Sequence, residues 1–278
     1  MVWVDGTIVP AEDARIRALD HGLIVGDGVF ETMKVVGGTP FAARRHLARL
    51  HRSLATLGLT APLDDRGLRA AMGATVAAAE ATGTEVGRLR LTITGGPGPL
   101  GSDRSEVPPT VVIAASAGTP WAATTEVVTV PWVRNERSAI AGAKTTSYAE
   151  NVVALQVAHE RGASEAIMAN TVGALCEGTG SNVFVVRGGR LRTPSLSTGC
   201  LAGVTRELVL EVVDCEETDA LTLDDLRDAE EAFLTSSTRD VHPIAAVDGS
   251  AMLNVAPGPR TAEAMAAFAA LEARTIDP

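Results

Sequence analysis

The chain has 278 residues, 46% hydrophobic and 21% charged, a globular composition with room for two modest domains. Its net charge of −10, without any Lys/Arg block beyond Arg44-Arg45, excludes the usual footprint of a nucleic-acid binder. No apolar run approaches membrane-spanning length and no basic-then-apolar leader opens the chain, so a soluble, cytoplasmic protein is expected.

Taken in order, residues 2–9 predict a hairpin around the Asp5-Gly6 turn. Residues 27–38 predict a strand ending in the Gly37-Gly38 turn. The apolar spacing of Leu47, Leu50 and Leu54 predicts a helix over 46–54, and the alanine-rich run 70–79 predicts another. Strict alternation over 88–94 places Arg88, Arg90, Thr92 and Thr94 on one strand face. A strand over 110–115 precedes a Gly/Pro connector, which gives domains of 1–117 and 127–278 joined by a loop over 118–126. The second part predicts strands over 126–130, 165–169, 182–186 and 232–235. It also predicts helices over 148–161, 205–213 and roughly 255–272. Strands and helices mix without regular alternation, so the expected class is α+β.

Three motifs carry chemistry. Lys144 sits among small residues, where desolvation would disfavour its ammonium form and make the amine a nucleophile. Glu177 opens Glu177-Gly178-Thr179-Gly180-Ser181-Asn182-Val183-Phe184, and a carboxylate there could neutralise a cationic ring nitrogen. Leu201-Ala202-Gly203-Val204-Thr205-Arg206 is a turn opening a helix, whose N–H groups and hydroxyl suit a phosphate. An amine, a carboxylate and a phosphate cradle in this order point to pyridoxal 5'-phosphate. No metal is expected: Cys176, Cys200 and Cys215 lack ligand spacing, and the five histidines are scattered.

These residues resemble the class IV aminotransferases, fold type IV of the pyridoxal phosphate enzymes. The likeness runs from Asp20-His21-Gly22 to about Pro243, and its Glu-x-x-x-x-Asn-apolar-aromatic signature is specific. It implies a small N-terminal α/β sandwich, a larger C-terminal pseudo-barrel, a cofactor between them and a homodimer. It also implies that Lys144 is the Schiff-base lysine and Glu177 the partner of the ring nitrogen. By the same resemblance Arg49, Val204, Thr205 and Ser237 bind the phosphate, Leu201 packs on the ring and Tyr148 donates to the ring oxygen.

Within the family, Gly26-Asp27-Gly28-Val29-Phe30-Glu31-Thr32-Met33-Lys34 is similar to the D-amino acid enzymes and lacks the branched-chain pattern. The turn Thr94-Gly95-Gly96-Pro97-Gly98 lacks the arginine and histidine that some D-amino acid enzymes place there. Substrate carboxylate recognition then falls to Lys34, Arg88 or Arg90, or to backbone donors; a salt-bridged scaffold role for the two arginines is the alternative. Phe30 and Ser236 complete the expected pocket. The expected reaction is transamination between D-amino acids and 2-keto acids, extending to primary (R)-amines. The alternative is an aminodeoxychorismate lyase making 4-aminobenzoate and pyruvate. Thr32 stands where the lyases carry a threonine, and equally suits a strand residue chosen for packing.

Overall fold

Alternation in the first part of the chain builds an antiparallel sheet with one face buried. The computed structural model describes residues 1–278, and contacts divide them into two units: 1–119 with 143–148 and 276–278, and 120–142 with 149–275. Residues 143–148 and 276–278, which the sequence reading grouped with the second domain, thus belong to the first unit.

The first unit contains β1 (Val2–Val4), β2 (Thr7–Val9), α1 (His21–Ile24), β3 (Gly28–Val36), β4 (Thr39–Pro40), α2 (Ala43–Leu57), α3 (Asp65–Glu80), β5 (Val86–Thr94) and β6 (Val111–Ala117). The strand order is β2-β1-β6-β5-β3-β4, every pair antiparallel. Val29, Met33 and Val35 of β3 join Leu89, Leu91 and Ile93 of β5 in a core closed by α2 and α3. Helix α2 enters from Ala42 at φ 53°, a left-handed conformation that costs a non-glycine residue about 1–2 kcal/mol. Burial outweighs this: Leu47, Leu50 and Leu54 are each fully or nearly fully buried, at about 1.5–3 kcal/mol apiece.

No side chain of its own N-cap satisfies the first turn of α2. Residues 276–278 do so instead. The Ala42 N–H donates to Ile276 O at 2.8 Å and the Arg44 N–H to Asp277 Oδ1 at 2.8 Å. Arg69 holds the other oxygen of Asp277 at 3.1 Å.

The second unit contains β7 (Thr125–Arg134), α4 (Ala149–Glu160), β8 (Glu165–Asn170), β9 (Leu175–Gly178), β10 (Asn182–Arg187), β11 (Arg190–Pro194), α5 (Val204–Val212) and β12 (Glu216–Thr218). It continues with α6 (Leu223–Arg227), β13 (Glu231–Ser236), β14 (Asp240–Val247), β15 (Ser250–Ala251) and α7 (Pro259–Arg274). Its nine strands form a curled half-barrel sheet, β12-β11-β10-β13-β14-β7-β8-β9, with β15 beside β14. The two faces hold separate cores. Val127, Ile167, Val183 and Leu234 lie in one, and Val128, Val130, Ala154 and Met168 in the other. The α+β class is as expected from sequence. Strands β9, β12 and β14 and helix α6 were not foreseen, and α7 starts at Pro259, after Gly258, rather than near 255.

Candidate active site

Lys144 is fixed through its backbone. Its carbonyl accepts from the Phe30 N–H at 3.0 Å, and its own N–H donates to Ser53 Oγ on α2 at 3.0 Å. Two residues on, the Thr146 N–H donates to Gly28 O at 2.8 Å, so 144–146 runs alongside β3. A Cβ on Gly28 would stand 2.9 Å from Ile93 O, which is why the residue there is glycine. With its backbone held from two sides, Lys144 aims its Nζ to 4.4 Å from the centre of the Phe30 ring and 3.5 Å from the Tyr148 hydroxyl. Phe30 and Tyr148 pack edge to face, centroids 5.1 Å apart.

The register of β3 with β5 places Phe30, Thr32, Lys34, Arg88 and Arg90 of the expected pocket together. Phe30 opposes Thr92, Thr32 opposes Arg90 and Lys34 opposes Arg88, so all six share one sheet face. Arg90 lays its guanidinium 3.6 Å from the centre of the Phe30 ring and donates from Nε to Thr92 Oγ1 at 3.3 Å. Neither Arg88 nor Arg90 pairs with a carboxylate, and Arg88 Nε is buried without a hydrogen-bond partner. The salt-bridged alternative for these two arginines is therefore not what the structure shows. Lys34 Nζ lies 5.2 Å from the centre of the Phe41 ring.

The opposite face of β3 carries a residue the sequence reading did not single out. Glu31 lies between the core residues Val29 and Met33 and is wholly buried. Arg49 grips it with two bonds, Nε to Oε1 at 2.9 Å and Nη2 to Oε2 at 2.6 Å, and His46 Nδ1 meets Oε2 at 2.7 Å. Burial alone would raise the Glu31 pKa. The Arg49 guanidinium, helped by His46, outweighs it and holds the carboxyl at about 2. Burial also pushes the His46 imidazole below its ordinary value, against the pull of Glu31.

In the second unit Glu177 lies on β9. Its Oε2 accepts the Leu201 N–H at 2.8 Å, and its Oε1 is 2.9 Å from Arg134 Nε. Arg134 also reaches Asn151 Oδ1 at 3.3 Å, and Asn151 donates to the Thr179 carbonyl. From the other side Glu165 accepts the Thr179 N–H and the Ser181 hydroxyl, both at 2.9 Å, so the turn after Glu177 is fixed by buried side chains. Asn182 Nδ2 donates to Leu201 O at 2.9 Å, joining the start of β10 to the turn before α5.

That turn needs its glycine, since a Cβ on Gly203 would collide with Asn182 Oδ1. Helix α5 starts at Val204 with Gly203 as N-cap, so no side chain caps its first N–H groups. Thr205, in that first turn, is buried. Ser236 ends β13 with Ser237 next, and the Thr235 hydroxyl beside them is buried without a hydrogen-bond partner. Arg239 is a structural clamp. It lies 3.6 Å from the centre of the Trp121 ring, bonds Ser164 twice at 2.9 Å and stands 3.9 Å from Glu165.

Known proteins decide what kind of site these groups belong to. A family model described as amino-transferase class IV matches residues 28–247. The chain belongs to the class IV aminotransferases. A D-alanine aminotransferase of Listeria innocua is 30% identical over 288 residues, covering 94% of this chain and 92% of the relative. A branched-chain-amino-acid aminotransferase of Pseudomonas aeruginosa is 29% identical, covering 96% and 91%. An aminodeoxychorismate lyase of Bacillus subtilis is 29% identical, covering 89% and 87%. Among solved structures, the fold IV transaminase CpuTA1 of Curtobacterium pusillum is 34% identical with a TM-score of 0.82, covering 97% of this chain and 94% of that one.

Class IV aminotransferases use pyridoxal phosphate. The residues present fit that group. The first unit offers a positioned amine at Lys144. The second offers the Glu177 carboxylate, an uncapped helix start behind Gly203, and the orphaned Thr235 hydroxyl beside two serines.

Proposed function

We propose that this aminotransferase moves the amino group between D-amino acids and 2-keto acids. The observation that carries the reading is the cationic face around Phe30. Arg90 stacks on that ring, the Lys144 amine lies 4.4 Å from the same ring, and no acid neutralises Arg90. An α-carboxylate on Arg90 would thus sit beside the amine that must work on the α-carbon. The D-series is supported by the Gly26-Asp27-Gly28-Val29 start and the Lys34 of β3, together with the absence of the branched-chain pattern.

When bound, pyridoxal phosphate supplies an electron sink for the negative charge that develops at the substrate α-carbon. Lys144 Nζ would be the catalytic base and acid, taking the proton from the substrate α-carbon and delivering it to the carbon on the cofactor side of the C–N bond. Glu177 keeps a proton on the ring nitrogen, its own charge fixed by Arg134 and the Leu201 N–H. Tyr148 donates to the ring oxygen and Leu201 packs on the ring face. Val204, Thr205, Ser237 and Arg49 hold the phosphate. Phe30, Thr32, Lys34, Arg88, Arg90 and Ser236 line the substrate pocket.

One guanidinium held against a ring, with a lysine as the other cation on that face, is a loose grip on a carboxylate. The same reading therefore extends to primary (R)-amines. It also includes a homodimer, which the exposed Trp132 and Val133 of β7 and Val152 and Val153 of α4 support.

The test is a half-reaction. Holoenzyme mixed with D-alanine should lose the visible absorbance of its bound cofactor and release pyruvate, and L-alanine should do neither. Conversion by L-alanine alone would sink the D-amino acid reading. The lysine assignment has its own check, because Lys34 and Lys144 are the only lysines. Borohydride reduction followed by proteolysis should find the cofactor on the peptide containing Lys144.

A second reading, aminodeoxychorismate lyase, is favoured by Thr32, which opposes Arg90 on the pocket face rather than packing in the core. Release of 4-aminobenzoate from aminodeoxychorismate, without response to D-alanine, would establish it.

A further inference from the structure

Glu31 occupies a position that alternation assigns to hydrocarbon. Its same-face neighbours on β3, Val29 and Met33, are fully buried core residues, and Glu31 is as buried as they are. An apolar side chain here would join that core without desolvating any charge. A buried carboxylate and its arginine are often no more stabilising than apolar replacements of similar volume. Stability alone is thus a poor account of an acid at this place.

The geometry gives a better one. A guanidinium is planar, and bonds from both Nε and Nη2 to the two oxygens of one carboxylate fix its plane and its rotation. The carboxylate is itself prevented from turning by His46, whose Nδ1 meets Oε2 at 2.7 Å. His46 and Arg49 are three residues apart on α2, so they present to β3 from one helix face. An arginine that must meet a phosphate from a long, four-torsion side chain loses rotamer freedom on binding, and prior fixation removes that cost.

We propose that Glu31 is a positioning residue for the cofactor phosphate, holding Arg49 in one orientation before pyridoxal phosphate binds, with His46 as its brace. The proposal rests on the reading of Arg49 as a phosphate ligand. Glu31 touches neither cofactor nor substrate; it acts through Arg49.

The test compares two ligands that differ only in the phosphate. Full-length apoprotein carrying Glu31→Gln, Glu31→Asp or Arg49→Gln is titrated with pyridoxal phosphate and, separately, with pyridoxal. Glu31→Gln and Arg49→Gln should each weaken pyridoxal phosphate binding about 10-fold or more and change pyridoxal binding less than about 2-fold. Glu31→Asp keeps the charge but withdraws it by one methylene, so it should show the same selectivity with a smaller loss. General damage to the fold would weaken both ligands alike, and that outcome in the Glu31 variants overturns the proposal. So does an unchanged affinity for pyridoxal phosphate in Glu31→Gln while Arg49→Gln shows the selective loss. If Arg49→Gln shows no phosphate selectivity, the assignment of Arg49 falls and the role of Glu31 falls with it. Should Glu31→Gln fail to fold, the aspartate variant decides by the same ratio.

Discussion

Glu31 and Glu177 are both buried acids on strands, yet their surroundings differ in kind. Glu31 is surrounded by side chains: two nitrogens of Arg49 and one of His46 engage its oxygens. On Glu177, Arg134 Nε stands at one oxygen and the Leu201 backbone N–H donates to the other, and its side chain keeps 11% of its exposure. A carboxylate offers about four acceptor directions. The first acid spends its charge on the protein. The second keeps some of its surface open. Burial and charge alone do not separate these two acids; the type of partner and the residual exposure do.

Substitutions at the two acids should break that comparison in opposite ways. Glu31→Gln should give the largest loss of stability, about 3–5 kcal/mol by denaturant titration, because it strands Arg49 in the core without its counter-charge. Glu177→Gln should unfold at nearly the wild-type denaturant concentration but lose about 100-fold or more in transaminase rate, measured at saturating substrate. If the two variants exchanged these signatures, the distinction would be wrong.

Acid sharpens the contrast further. The folded Glu31 carboxyl, at about 2, lies below its unfolded value of 4.5. Its contribution to stability is therefore fully present above pH 4.5 and is lost as pH falls from there through about 2. Glu31→Gln should flatten the stability profile across that window, as read from equilibrium unfolding at successive pH values. Smaller still, Ser53→Ala removes the side-chain acceptor for the Lys144 N–H and should cost about 1 kcal/mol.

Much of this was legible in the residues. The alternation of β5 and the Gly-rich run before α5 located strand, turn and helix start, because period and turn chemistry are local properties. Helix α2 shows where local reading stops. Its apolar stripe of Leu47, Leu50 and Leu54 was visible, but a second buried stripe of His46, Arg49 and Ser53 runs beside it at the same spacing. That stripe holds Glu31 and the Lys144 backbone, partners 15 and 91 residues away along the chain, so no local pattern could pair them. A faint signal for Glu31 did exist: an acid at the second of four alternating positions otherwise filled by Val29, Met33 and Val35 contradicts a core face. Arg134 gave none, since its meaning comes only from folding β7, β8 and β9 into one sheet, which brings it to Glu177 on β9. Strand β14 escaped because Pro243 sits inside it and interrupts the run.

The contact between Arg44 and Asp277 spans 233 residues. During synthesis the helix bearing Arg49 precedes the second unit, yet the groups that satisfy its first turn follow that unit. The N-terminal unit, although most of it precedes residue 120, cannot finish itself while the ribosome is still elongating the second. Its maturation is timed by the arrival of residues 276–278, and a nascent chain arrested before them would carry the helix that braces Glu31 and the Lys144 backbone with a frayed start.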